Sequence, residues 1–152
     1  MGFFKFIDIP PVWLGIFAAI AWWQSQVLSF GLSLDHPASR FLGGVLIGGG
    51  LVLMGLAFVE FRRHKTTVVP HQEASRLITS GIFKRSRNPI YLADILILAG
   101  LCLRWDAVLS LALVPVFLWW LERRFVIPEE DRLRRKFRVE FARYAEKTRR
   151  WI

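Results

Sequence analysis

Residues 80–100 read SGIFKRSRNPIYLADILILAG, a short basic segment followed at once by a long apolar one. Proline suits the first turn of a helix and disfavours a helical conformation in the residue before it. The stretch therefore predicts a helix that begins at Pro89, with a cluster of cations directly before it. Such cations can set the orientation of a membrane segment, or they can hold a charged ligand at the membrane surface.

The composition of the whole chain favours a membrane protein. Hydrophobic residues make up 54% of the 152 residues, and the mean hydropathy is +0.38. The apolar residues form blocks, with the charged residues between them. The net charge of +9 is not accompanied by a zinc-finger or RNP pattern, so we expect no nucleic-acid partner. Cys102 is the only cysteine and cannot form an intrachain disulfide.

The apolar blocks predict an all-α fold with about four transmembrane helices, at residues 12–32, 41–61, 89–103 and 106–122. The first two approach the roughly 20 residues that a helix needs to cross a bilayer. The last two are shorter and are separated by Arg104-Trp105-Asp106, which is typical of the tip of a tight helical hairpin. We interpret residues 1–152 as a single membrane domain.

The distribution of basic residues predicts the orientation. Seven lysines and arginines lie in residues 61–88 and eleven follow Leu121, whereas the other connections carry one each. By the positive-inside rule, both termini and the loop 66–88 face the cytoplasm. Within residues 128–148, Leu133, Phe137, Phe141 and Tyr144 form an apolar stripe with basic residues around it. This pattern predicts an amphipathic helix on the cytoplasmic face of the bilayer. We expect an integral membrane protein, in the inner membrane if the source is bacterial.

Several residues within or beside these spans invite a specific interpretation. Gly44 and Gly48 have the GxxxG spacing that lets membrane helices approach closely. Glu60 lies near enough to the membrane surface to pair with Arg63 or His64. Asp94 lies one helical turn after Tyr91, on the same face, and a carboxyl group at membrane depth usually faces a cavity or a partner.

Metal chemistry and triad hydrolysis are not expected. The histidines, at 36, 64 and 71, do not have the spacing of metal ligands. The chain also contains no GxSxG nucleophile motif. Glu129 and Glu130 follow Pro128, where carboxylates stabilise the start of a helix, so their position alone does not establish a site.

The ordered set of motifs resembles the membrane methyltransferases related to isoprenylcysteine carboxyl methyltransferase and to the phospholipid N-methyltransferases. The family pattern is a His, a Gly with an aromatic residue two positions on, Arg-(His/Asn)-Pro-x-Tyr, a helical hairpin, and a Glu-Glu pair. Here these motifs are His71, Gly81 with Phe83, residues 87–91 (RNPIY), and Glu129-Glu130. The match covers residues 66–152. Asn88 and Phe83 stand where many relatives have His and Tyr.

The resemblance implies S-adenosylmethionine as cofactor, S-adenosylhomocysteine as product, and a site at the cytoplasmic membrane face. Arg87 suits the methionine carboxylate, Glu129 or Glu130 the ammonium or ribose, and Phe83 or Tyr91 the adenine or sulfonium. The implied cofactor-binding residues are His71, Gly81, Phe83, Arg87, Asn88, Pro89, Tyr91, Glu129 and Glu130. The residues expected to assist methyl transfer are Arg87, Tyr91 and Asp94.

The resemblance leaves the methyl acceptor open. An amphiphilic acceptor entering from the bilayer is expected, either an isoprenylcysteine-type carboxylate or related lipid-like molecule, or the amine of a phospholipid. A carboxylate needs no base, whereas an amine must lose a proton. Two alternatives of other classes are a non-catalytic lipid-binding membrane protein and a reductase related to the sterol reductases. Binding of S-adenosylhomocysteine distinguishes a methyltransferase from the non-catalytic alternative.

Overall fold

A computed structural model describes residues 8–66 and 74–152, and within these ranges the chain is helical and contains no β-strand. The all-α prediction is therefore confirmed for the described residues. The α-helices, in chain order, are α1 (Pro10–Val27), α2 (Pro37–His64), α3 (Pro89–Arg104), α4 (Leu113–Leu121) and α5 (Ile127–Lys147). Short 3₁₀ turns at Gly81–Lys84 and Leu109–Ala112 precede α3 and α4.

Helix α2 is the one helix in the described ranges whose length and composition suit a membrane crossing. It has 28 residues, and only 17% of its most apolar part is buried. Large apolar side chains project from it, such as Phe41 at 75% exposure and Val52 at 63%. An apolar surface of this extent is costly in water and is satisfied by lipid.

The other predicted spans coincide with shorter helices. Helix α1 ends at Val27, five residues before the end of the predicted span 12–32. Helix α3 begins at Pro89 as predicted, and Arg104-Trp105-Asp106 forms the tip of the hairpin, where Asp106 has a positive φ of 54°. Whether α1, α3 and α4 cross the membrane, and which side the termini face, stay predictions.

Helices α2 and α3 approach backbone to backbone, but through other glycines than the sequence suggested. A Cβ atom on Gly43 would lie 2.8 Å from the carbonyl oxygen of Gly100, and one on Gly50 would lie 2.9 Å from that of Ala93. No heavy atom lies within 4 Å of the corresponding point at Gly44 or Gly48. The assignment of the helix contact to the Gly44–Gly48 pair was therefore wrong, because those two glycines face away from α3.

Polar contacts join the ends of the bundle that lie away from the loop 74–88. The Asp106 carboxylate accepts hydrogen bonds from Ser33 Oγ and the Leu34 N–H, both at 2.6 Å. Gln24 Oε1 accepts from the N–H and the hydroxyl of Ser110, at 3.2 and 2.9 Å. These bonds fix the tip of the α3–α4 hairpin beside the connection between α1 and α2.

The chain stays helical between the predicted fourth span and the amphipathic helix. A π turn, Glu122–Val126, joins α4 to α5 without a loop. Helix α5 begins at Ile127, so that Pro128 lies in its first turn, and it is kinked at Arg138, where φ is 39° and ψ is −108°. The kink divides α5 into two halves, and both pack against the loop before α3 through one apolar cluster that includes Leu133, Phe141 and Phe83.

Candidate functional site

A cleft of about 520 Å³ lies where the loop 74–88, the start of α5 and the end of α2 meet. Its volume falls within the range typical of small-molecule sites, roughly 300–1,000 Å³. Phe61, Phe83 and Leu133 supply apolar lining, while Arg87, Asn88 and the Glu129–Glu130 pair supply polar groups. Five of the nine predicted cofactor residues therefore line one cleft: Phe83, Arg87, Asn88, Glu129 and Glu130.

Arg87 and Glu130 lie side by side in the cleft wall. Arg87 Nε is 3.3 Å from Glu130 Oε1, and Arg87 Nη1 donates to the carbonyl of Ala145 at 3.2 Å. The contact with Glu130 has the distance of an ion pair without the angle of a hydrogen bond. The buried Nε–H of Arg87 consequently has no hydrogen-bond acceptor among the described residues. A buried donor without an acceptor is costly, so the cleft retains capacity to bind an anionic oxygen there.

Glu130 is a buried carboxylate, only 5% exposed, that is held between two guanidinium groups. Arg150 donates to it twice, from Nη2 at 2.9 Å and from Nε at 3.3 Å, and also donates to Glu122. The hydrogen bonds from Arg150 to Glu130 raise the pKa of the Arg150 guanidinium above its ordinary value. Most of the acceptor capacity of Glu130 is thus used within the protein.

Asn88 and Pro89 close the loop onto this ion-pair cluster. The Asn88 side-chain amide donates to the Arg150 carbonyl at 3.2 Å and to Glu130 Oε1 at 3.4 Å. Pro89 is buried as the first residue of α3. It does not line the cleft.

Tyr91 lies behind the cleft and contacts it through Glu129. Its ring stacks on Phe125 at a centroid distance of 6.1 Å, and its hydroxyl donates to Glu129 Oε2 at 2.8 Å. Asp94 is 1% exposed, and its carboxyl oxygens accept no hydrogen bond from the described residues. Neither Tyr91 nor Asp94 is among the residues that line the cleft. Their catalytic roles stay predictions.

Gly81 fixes the start of the loop and does not line the cleft either. Its φ is +56°, and a Cβ atom there would lie 2.5 Å from the Glu60 carboxylate. Glu60 accepts a hydrogen bond from Ser80 Oγ at 2.5 Å and pairs with Arg63 at 3.4 Å. The predicted pairing of Glu60 is confirmed. His71, the remaining predicted cofactor residue, lies outside the described residues.

Two residues that hold the site together were not identified as such from the sequence. The Tyr144 hydroxyl donates to the Phe83 carbonyl at 2.6 Å, and burial raises the pKa of this hydroxyl. Arg150 joins α5, the π turn and the loop. In the sequence, Tyr144 belongs to the apolar stripe of α5 and to the F..YA motif of residues 141–145, and Arg150 belongs to RRWI at residues 149–152; both motifs contribute to the family resemblance. The resemblance assigned no role at the site to either residue.

Comparison with known proteins gives one match. The phospholipid methyltransferase family matches residues 38–140, which is more than half of the chain and includes α2, the loop, α3, α4 and the first half of α5. Neither the curated proteins nor the solved structures contain a significant match. The matched region contains the lining residues Phe83, Arg87, Asn88, Glu129 and Glu130. The protein belongs to the phospholipid methyltransferase family, a family of membrane methyltransferases.

Proposed function

We propose that this protein transfers a methyl group from S-adenosylmethionine to an amphiphilic acceptor at the cytoplasmic face of the membrane. The observation that carries the proposal is the buried Arg87 Nε–H, which has no hydrogen-bond acceptor in a cleft of about 520 Å³. Arg87 is suited to the carboxylate of the cofactor, because a guanidinium binds a carboxylate through charge-assisted hydrogen bonds. The aromatic rings of Phe61 and Phe83 suit the adenine or the sulfonium.

The two glutamates have different roles in this proposal. Glu130 is buried between Arg87 and Arg150, so we assign to it the positioning of Arg87. Glu129 also lines the cleft, with Tyr91 donating to one of its oxygens, and we assign to it the ammonium or ribose of the cofactor. Tyr91 then fixes the orientation of the Glu129 carboxylate.

When bound, S-adenosylmethionine would supply a methyl group activated by its sulfonium for transfer to a lone pair of the acceptor, with S-adenosylhomocysteine as the product. The protein's contribution is alignment of donor and acceptor, which lowers such barriers by roughly 7–11 kcal/mol. A carboxylate acceptor needs no further help. For an amine acceptor, we assign uptake of the proton to the Glu129 carboxylate, which lines the cleft and accepts a hydrogen bond from the Tyr91 hydroxyl.

The basic rim of the cleft suits an acceptor that carries negative charge. Arg76, Arg132, Arg135 and Lys136 line it together with Arg87. An isoprenylcysteine-type carboxylate and the phosphate of a phospholipid both meet this requirement. Because the chain matches the phospholipid methyltransferase family, the amine of a phospholipid is the second candidate acceptor.

The first test is calorimetric titration of the detergent-purified protein with S-adenosylhomocysteine. We expect saturable binding that Arg87→Ala abolishes, because the substitution removes the unsatisfied donor. Arg85→Ala is the matched control, since Arg85 is exposed and does not line the cleft. Folding of each variant is checked by thermal unfolding in the same detergent. Well-folded wild-type protein that binds no S-adenosylhomocysteine would leave a non-catalytic lipid-binding protein as the better account.

The acceptor is tested with cofactor that carries a radiolabelled methyl group. Membranes containing the protein receive either a prenylated cysteine or phosphatidylethanolamine. Mild base releases the label as methanol from a methyl ester, whereas a methyl group on nitrogen stays on the lipid. We expect base-labile label on the prenylated cysteine; base-stable label on the phospholipid would show the amine to be the acceptor.

A further inference from the structure

A second groove, of about 660 Å³, adjoins the cleft, and Tyr144 is the one lining residue that the two have in common. The half of α5 that follows the kink forms one wall through Val139, Arg143 and Lys147, and the loop forms the other through Thr79 and Lys84. Hydrogen bonds fix the two walls together: Tyr144 Oη donates to the Phe83 carbonyl at 2.6 Å, and Thr148 Oγ1 donates to the Lys84 carbonyl at 3.5 Å. The groove is therefore a built feature and does not depend on the ligand of the cleft.

Three cations line this groove against one carboxylate, that of Glu140. Lys84, Arg143 and Lys147 are exposed, and none of them forms an ion pair within the described part of the chain. Arg143 and Lys147 are four residues apart on one helix face, an arrangement of like charges that destabilises a helix. An anion bound between the three cations removes this repulsion.

The position of the groove brings it close to the ends of two apolar helices. Lys84 lies five residues before α3 begins, and Ser80, four residues before Lys84, is bonded to Glu60 in the last turns of α2. Val139, 64% exposed, adds an apolar side chain beside the cations. Cations and an exposed apolar side chain at the end of a membrane helix are the combination that binds an anionic lipid surface.

We propose that this second groove binds the phosphate headgroup of an anionic phospholipid of the surrounding bilayer. The Lys84, Arg143 and Lys147 cations hold the phosphate, and the Thr79 hydroxyl at the groove supplies a further hydrogen-bond donor. The lipid is a bound component of the protein and is not a methyl acceptor, because the groove lies outside the cleft. The proposal does not depend on methyltransferase activity.

The test titrates the full-length protein in a neutral detergent with short-chain phosphatidylglycerol, phosphatidylcholine or inorganic phosphate, and records the thermal unfolding midpoint. A ligand that binds only the folded state raises this midpoint. The site variant carries Lys84→Gln, Arg143→Gln and Lys147→Gln. The control variant carries Arg62→Gln, Lys65→Gln and Arg123→Gln, which removes the same charge from exposed residues that also have no ion pair among the described residues.

We expect phosphatidylglycerol to raise the midpoint of the wild type and of the control variant, and the site variant to need at least about tenfold more of it for the same rise. Phosphatidylcholine should give no such rise. Equal weakening of phosphatidylglycerol binding in the two variants would overturn the proposal, because binding would then depend on the overall positive charge of the protein. An equal effect of inorganic phosphate would overturn the assignment to a lipid. A cooperative unfolding transition of the site variant without ligand, at a midpoint close to that of the control variant, shows that it is folded.

Discussion

Gly81 has a structural reason to be glycine that its place in the family pattern does not reveal. The cofactor-binding role that the resemblance implies for Gly81 stays a prediction. The structure places Gly81 against Glu60, with a φ of +56°. Ser80 and Gly81 are thereby fixed to the end of α2. A glycine is required because a side chain at positive φ is strained and because the buried Glu60 carboxylate occupies the space of a Cβ atom.

Gly81→Ala should therefore lower the free energy of unfolding by about 1 kcal/mol or more, from the positive φ and the displacement of Glu60. Gly48→Ala is the matched control. Gly48 lies inside α2 with open space around it, and alanine there should be neutral or stabilising by up to roughly 1 kcal/mol. Thermal unfolding in detergent measures both. An unchanged midpoint for Gly81→Ala would contradict the role of Glu60 in fixing the loop.

Single residues of the site were predictable to different degrees. Arg87, Asn88 and the Glu pair line one cleft, as the resemblance implied, because the motif order reflects where the loop and α5 must meet. The direct pairing of Arg87 with Glu130 was not predictable, since residue type does not reveal which of two adjacent glutamates faces the interior. Asp94 was predicted from its depth in the membrane and from the helix face that it shares with Tyr91, and neither feature decides which cavity its side chain faces.

At the scale of helices, the main error of the sequence analysis was the choice of the glycines through which α2 contacts another helix. Gly43 and Gly50 are seven residues apart and contact α3, whereas the more familiar GxxxG pair of Gly44 and Gly48 faces away from it. A glycine-rich span contains several possible contact stripes, and only the partner helix selects one.

The π turn between α4 and α5 could not be predicted from the sequence for a related reason. The composition changes there from apolar to charged while the backbone stays helical.

The segment that follows α5 acts as a strap across the loop. The Arg149 carbonyl accepts from the Arg87 N–H at 3.1 Å, and the Arg150 carbonyl accepts from Asn88. The Arg150 side chain holds Glu130, which in turn lies against Arg87. The last residues of the chain thus position the cleft wall without lining it.

Arg150→Ala should raise the dissociation constant of S-adenosylhomocysteine about tenfold, because Glu130 is then free to bind Arg87 alone and withdraw it from the ligand. Stability should fall by about 1–2 kcal/mol, discounted for the partial exposure of Arg150. Arg150→Lys keeps the charge but loses the paired hydrogen bonds, and should recover only part of the affinity. Calorimetry measures the affinity and thermal unfolding the stability.

The control for this prediction is Arg149→Ala, which removes an exposed side chain and keeps the carbonyl that binds Arg87. It should bind S-adenosylhomocysteine as the wild type does. If Arg149→Ala and Arg150→Ala weaken binding equally, the loss comes from disorder at the end of the chain and the positioning role of Arg150 is wrong.

At the scale of the whole molecule, the contacts at the two ends of α2 bear on the predicted four-span topology. At its beginning, the connection from α1 is bonded to Asp106 at the tip of the α3–α4 hairpin. At its end, Glu60 is bonded to Ser80, shortly before α3 begins. Helix α3 and the loop before it together therefore run beside α2 from one end to the other. If α2 crosses the bilayer, the hairpin must reach the same far surface.

This argument predicts the accessibility of single cysteines in a Cys102→Ala background, probed in intact cells with a membrane-impermeant maleimide. Asp35→Cys, before α2, and Arg104→Cys, at the hairpin tip, should both be labelled from outside. Arg62→Cys, in the last turn of α2, should be labelled only after the membrane is opened, because the positive-inside rule predicts that the many cations around it face the cytoplasm. All three positions are exposed. If Asp35→Cys is labelled and Arg104→Cys is not, the hairpin tip does not reach the same surface as the start of α2, and the four-span arrangement is wrong. If Arg62→Cys alone is labelled in intact cells, the protein has the opposite orientation in the membrane.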